Sequence, residues 1–185
     1  MKKIAGILLT CLLGASGLHA QQDTLRPIPF GDFDQWLVRR IKESSVIGGR
    51  ESLVYMIAPV DTLVGPQPYV NRSASPWSSS NVMAKVAGIV KTSVTVFPEK
   101  RGKGYCVRMD TKLEKVKVLG VVNISVLASG SIFLGKTLEP IRGASDPYKN
   151  LDMGIPFTGT PEALVFDYKA KISQDTMVTR ASGSG

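Results

Sequence analysis

From Ser52 onwards no stretch of this chain keeps a helical period, and that feature most narrows what it can fold into. Within Lys85–Phe97, the residues Val90, Thr92, Val94 and Val96 share one side, and Lys91, Ser93 and Thr95 take the other. Period two built from β-branched residues marks a half-buried strand. Pro98 is expected to end it, with Glu99–Gly104 as a charged turn. Ser52–Ile57, Tyr105–Met109 and Ile132–Leu134 read as further short strands. Val116–Leu127 reads as one long strand with a bulge or bend at Gly120. The clearest pattern is the last: Leu164, Phe166, Tyr168 and Ala170 alternate with Val165, Asp167, Lys169 and Lys171.

Between these runs, Val60–Ser80 and Pro140–Gly154 carry the Pro, Gly, Ser and Asn of loops. One helix is predicted within Gly31–Lys42, where Phe33, Trp36, Leu37 and Ile41 fall near helical spacing. Asp32 with Gln35 would cap it, and Gly48-Gly49 would stop the stretch beyond it. The same segment also reads as an irregular stretch pinned by its aromatics. Short strands, Gly and Pro turns and almost no helix predict an all-β fold, a β-sandwich or jelly roll over residues 32–175. About five or six strands are countable, whereas a jelly roll wants eight. Ala181–Gly185 closes no hydrophobic pattern, so the roll is expected to be incomplete at its C-terminus, with 176–185 truncated or unstructured.

The N-terminus has its own layout: basic Lys2-Lys3, an apolar run Ile4–Leu13, then small residues to Ala20. This is the pattern of a secretory signal, with cleavage expected after Ala20 and an extended leader over 21–31. The apolar run falls short of the roughly 20 residues a spanning helix needs, and no other apolar stretch reaches that length. Lipidation at Cys11 is the weaker alternative, because Thr10 stands where a small residue is wanted. The protein is therefore expected outside the cytoplasm: secreted, periplasmic or at the cell surface.

Removing residues 1–20 takes away His19, the sole histidine, and Cys11, leaving Cys106 as the only cysteine. No internal disulfide, His-based triad, Cys-His pair or His-ligated zinc site can then be built. The formal net charge of +8 includes the two signal lysines. The remaining basic residues are scattered except for Lys100-Arg101-Lys103, which reads as a solvated surface rather than a nucleic-acid footprint.

Several segments resemble a known family. Gly154-Ile155-Pro156-Phe157-Thr158-Gly159-Thr160-Pro161-Glu162-Ala163-Leu164-Val165-Phe166-Asp167-Tyr168-Lys169 is similar to the hallmark of the "putative carbohydrate metabolism domain" family of secreted bacterial proteins. Phe33-Asp34-Gln35-Trp36, Pro76-Trp77-Ser78-Ser79-Ser80-Asn81 and Leu127–Gly135 resemble its other motifs. The resemblance covers most of residues 30–171. It implies a β jelly roll of the kind common among carbohydrate-binding modules, and a role in handling glycans outside the cytoplasm. It supplies no catalytic residues. Members of the family continue with further strands after the Tyr-Lys motif.

Sugar sites are concave, with a flat aromatic face and a few polar groups that fix orientation. Trp77, among Ser78, Ser79, Ser80 and Asn81, either offers such a face or folds back over a sheet edge as a lid. Asn81 and Arg72 are candidate polar groups, and Tyr69 and Tyr148 lie on Pro-containing loops that can add to the surface. Trp36 is expected in the core, Phe157 as a plug at the end of the sandwich, and Tyr168 on the apolar side of its strand. No catalytic residue, metal ligand or cofactor is predicted. The expected function is a non-catalytic carbohydrate-binding module with a glycan as partner and no nucleic acid. The alternatives are an assembly protein that binds other exported proteins, and a glycoside hydrolase. The last would need two converging carboxyls, such as Asp34 with Glu162 or Asp167.

Overall fold

A computed structural model describes residues 25–118, 122–142 and 147–172. The signal segment, Gly120 and residues 176–185 lie outside the described residues. β1 (Trp36–Lys42) pairs antiparallel with β2 (Glu51–Ile57) and parallel with β3 (Asp61–Val64). β4 (Trp77–Ser79) belongs to a second three-stranded sheet. Next come two hairpins: β5 (Val82–Val86) with β6 (Ile89–Ser93), and β7 (Val96–Arg101) with β8 (Gly104–Met109). A third joins β9 (Thr111–Val118) to β10 (Val122–Ser129). Finally β11 (Ile132–Thr137) runs antiparallel between β4 and β12 (Leu151–Met153).

These sheets pack as an all-β sandwich. Leu37, Ile41, Val54 and Met56 from the first sheet meet Met83, Val90 and Val94 from the β5–β6 hairpin and its exit. A second cluster gathers Trp36, Ile57 and Val96 with Phe30, Phe33, Trp77 and Ile132. Full burial of each such side chain contributes roughly 1.5–3 kcal/mol.

The helix expected within Gly31–Lys42 is corrected to strand β1. Leu37, Arg39 and Ile41 alternate inward and are buried, and Glu43 just beyond the strand is buried too. Two charges on the inner side disguise the period-two pattern, so the apolar positions alone mimic a helix. Asp32 does not cap a helix; its carboxylate accepts a bond from the Asp34 N–H at 3.3 Å.

The Lys85–Phe97 run divides into the end of β5, all of β6 and the start of β7, although Val90, Thr92, Val94 and Val96 are all buried. The break comes at Ala87-Gly88, where φ values of 48° and 79° make the tight turn that hairpins favour. Pro98 does not end its strand but sits opposite Val107, tolerated because β7 pairs on one side only. Val116–Leu127 is likewise a hairpin, not one bent strand.

The largest departure is at Leu164–Lys171, which forms no strand. Residues 154–172 run without a ladder, with Phe157 60 % and Tyr168 81 % exposed, so neither plugs nor lines the sandwich. Alternation makes a strand only where a neighbour supplies the hydrogen-bonding ladder. Among the described residues none pairs with this segment.

Glu43 shows how an inward charge is accommodated. Its Oε1 accepts bonds from Lys91 Nζ (3.0 Å), the Thr92 N–H (3.0 Å) and the Thr92 hydroxyl (2.8 Å), and its Oε2 from Arg50 Nε (3.2 Å). Burial pushes the carboxyl upward, but the Thr92 bonds and Lys91 outweigh it and hold it below the ordinary 4.5. A depressed carboxyl stabilises the fold fully above its unfolded pKa, and that stability is lost as pH falls through the folded value. Stability in urea is thus expected to fall below about pH 4.5 through this group. A Glu43→Gln variant should be weaker at pH 7 and fall less steeply on acidification; an unchanged acid slope would assign the loss to other groups.

Candidate functional site

The β4–β11–β12 sheet borders a sizeable concavity. Its middle strand carries a single charge, Lys136, whose register partner on β12 is Asp152. Strand β12 approaches closely because Gly135 has no side chain. A Cβ there would meet the Asp152 carbonyl oxygen and Met153 Cα, and φ is 140°. The Gly135 N–H donates to the Pro76 carbonyl (2.9 Å), which brings the loop ahead of β4 alongside this sheet.

That loop is braced by its own side chains. Asn71 Oδ1 accepts from the Ser73 N–H (3.0 Å) and hydroxyl (2.7 Å), and Asn71 Nδ2 donates to the Ser75 carbonyl (2.9 Å). The Ser75 hydroxyl is buried and donates to the Ile57 carbonyl at 2.6 Å. Arg72 therefore projects from a loop with a fixed backbone.

An open groove of about 580 Å³ is lined by Asn71 and Arg72 of the loop and by Lys136 and Asp152 of the sheet. Val70, Pro76, Ile155 and Pro156 give it apolar surface. Its volume falls within the roughly 300–1,000 Å³ of ligand pockets. A second recess shares Val70, Asn71 and Lys136 with it and is lined by Tyr69 and Trp77. At about 20 Å³ that recess has room for a water, not for a sugar ring.

The five residues singled out from sequence are distributed unequally. Arg72 lines the large groove, and Tyr69 and Trp77 the small recess. Trp77 lies as a lid: its Nε1–H donates to the Pro29 carbonyl (2.9 Å) and its ring meets Phe33 edge-on at 5.2 Å. Tyr69 is half-buried, and burial pushes its phenol above the ordinary range against the opposing charge of Arg39. Asn81 is fully buried and lines neither cavity. Its Nδ2 donates to the Tyr55 (2.9 Å) and Val96 (2.7 Å) carbonyls, and its Oδ1 accepts the Thr95 and Val96 N–H groups, both at 2.9 Å. Tyr148 falls in the 3-10 turn Pro147–Asn150, its side chain outside those described.

Sequence reasoning missed Lys136 and Asp152. The one signal for Lys136 is its position as the lone charge in a strand that is mostly apolar. Asp152 gave none, because its place depends on pairing across the loop from Leu138 to Asn150. Of the carboxyls considered for hydrolysis, Asp34 accepts the Tyr105 N–H at 2.7 Å, while Glu162 and Asp167 stand exposed on the C-terminal segment. Asp152 is the only acid lining the groove among the described residues.

In comparisons with known proteins, the model of the family described as "Putative carbohydrate metabolism domain" matches residues 50–180. No curated protein and no solved structure matches the chain.

Proposed function

This chain belongs to the putative carbohydrate metabolism domain family, and from that premise we propose that it is an exported, non-catalytic module that binds glycan in the groove between the 67–76 loop and the β11–β12 pair. The observation that carries the reading is the pre-shaped groove itself, with Arg72 on a braced loop facing Lys136 and Asp152 on a sheet. A wall set before binding spares the ligand the cost of ordering it. Guanidinium, ammonium and carboxylate groups suit the donor and acceptor pattern of sugar hydroxyls, and the apolar patches suit the C–H side of a pyranose ring. A lone acid in the groove favours binding over hydrolysis, which needs a facing pair roughly 5–9.5 Å apart. The signal layout of residues 1–20 supports export, and no helix among the described residues is long and apolar enough to cross a membrane. Affinity in the millimolar to micromolar range, about 4–8 kcal/mol, is expected.

A glycan-array screen of residues 21–185 tests this, with an Arg72→Ala/Lys136→Ala variant alongside. Both side chains are exposed, so the double variant is expected to unfold within about 1 kcal/mol of wild type. It should lose the hits. Hits retained in the variant would move the site elsewhere on the molecule.

A second reading is favoured by the exposed segment 161–172, where Leu164, Phe166, Tyr168 and Ile172 form an apolar stripe 67 to 88 % exposed. Such a stripe suits an assembly role, in which the segment adds as a strand to another exported protein. No array hit from folded protein, with a partner captured only when this segment is intact, would favour that reading.

A further inference from the structure

We infer that the groove selects an anionic glycan, one whose sugar carries a carboxylate or sulfate that lodges between Arg72 and Lys136. This rests on the glycan reading above and names its ligand class. The charges that line the groove are two cations and one acid. None of the ion pairs among the described residues involves Arg72 or Lys136. Lys136 does not pair even with Asp152, its register partner across β11 and β12. Elsewhere the exposed Arg40, Arg108 and Lys112 do pair, with Glu51, Glu99 and Asp110, and Glu114 respectively.

Two unpaired cations lining one concavity, one from the loop and one from the sheet, raise the local concentration of anions there. Their bases are fixed: Arg72 by the Asn71–Ser73–Ser75 brace, Lys136 by its place in the middle strand of a three-stranded sheet. The planar guanidinium matches a carboxylate or sulfate with two parallel N–H donors, and the ammonium adds a point charge from the other side. Asp152 is placed to accept the hydroxyls beside the anionic substituent, and its own charge discourages a ligand of dense, uniform negative charge.

The test is titration calorimetry of residues 21–185 with three probes: oligogalacturonate, its carboxyl-reduced neutral counterpart, and a sulfated galactan oligosaccharide. At least one anionic probe is expected to bind about tenfold more tightly than the neutral one at low salt, with the advantage shrinking as salt rises. Arg72→Gln, which keeps hydrogen-bond donors and removes the charge, should erase most of that difference and flatten the salt dependence of the anionic probe. Preference for the uronate or for the sulfate ester identifies the source of the anion. Equal binding of acidic and neutral probes overturns this inference and leaves the glycan reading standing. Failure of folded protein to bind any of the three, together with a blank array, removes both.

Discussion

Replacing Asn81 with alanine is expected to lower the stability of the domain by about 4 kcal/mol, near 1 kcal/mol for each of four buried hydrogen bonds. The side chain sits where β6 ends at Ser93 and β7 begins at Val96, and it stands in for the ladder that the intervening Val94 and Thr95 lack. Its amide donates to the carbonyls of Tyr55 and Val96, and its oxygen takes the N–H groups of Thr95 and Val96. Folded domains have only about 5–15 kcal/mol in hand, so a loss of this size is a large share of the total. Urea denaturation at pH 7 measures it as a fall in midpoint with little change in slope. Asn81→Asp sharpens the test. The carboxylate keeps both acceptor bonds but turns a negative oxygen toward two carbonyls, so the variant should be destabilised at pH 7 and recover partly on acidification as the acid gains a donor. A cost for Asn81→Ala under about 1 kcal/mol would mean that the backbone groups find other partners, and the bridging role would be lost.

Asn81 also illustrates what a sequence conceals. A loop asparagine beside a tryptophan reads as a sugar ligand, because nothing local reveals that its four partners lie 14 to 26 residues away. Strand β1 is hidden for the same reason. Its inward Arg39 and the neighbouring Glu43 break the hydrophobic alternation; Arg39 is neutralised by Glu139, 100 residues away, and Glu43 by Lys91, 48 residues away, together with the nearer Arg50. Where the inner side is wholly apolar or hydroxylic, as at Ser52–Ile57 or Val90–Val96, period two is plainly legible. Leu164–Lys171 shows the opposite limit: the pattern is legible, but a ladder needs a neighbour, and no local pattern supplies one. Of the groove, the Arg72 wall follows from loop composition. The Lys136–Asp152 wall is a product of register between β11 and β12, which neither strand specifies alone.

Arg39→Met is expected to cost about 3–5 kcal/mol and also to weaken glycan binding, because it leaves Glu139 as an uncompensated buried charge. Both side chains are only 2 % exposed, and Arg39 Nη1 meets Glu139 Oε1 at 2.9 Å. Arg39 Nη2 also donates to the Gln67 carbonyl (2.7 Å), and its guanidinium lies 5.3 Å from the centre of the Tyr69 ring. Glu139 in turn accepts the N–H groups of Met83 (2.8 Å) and Tyr69 (3.0 Å). The pair thus ties the inner side of β1 to β5 and to both ends of the Gln67–Tyr69 stretch, the root of the wall that carries Arg72. Exchanging a buried ion pair for apolar residues is often neutral. Here it is expected to fail, since an apolar residue at 139 would orphan two backbone N–H groups. Arg39→Met/Glu139→Gln should instead recover about 1–2 kcal/mol relative to Arg39→Met, because the unpaired charge is gone while an acceptor remains. A double-mutant cycle read by urea denaturation measures that coupling, and strict additivity would mean that the charges do not act as a pair. Titration below the unfolding transition then separates the two roles. Asn81→Ala, which leaves the groove wall untouched, should bind as wild type does, whereas Arg39→Met, with the root of the wall released, should bind about tenfold less tightly.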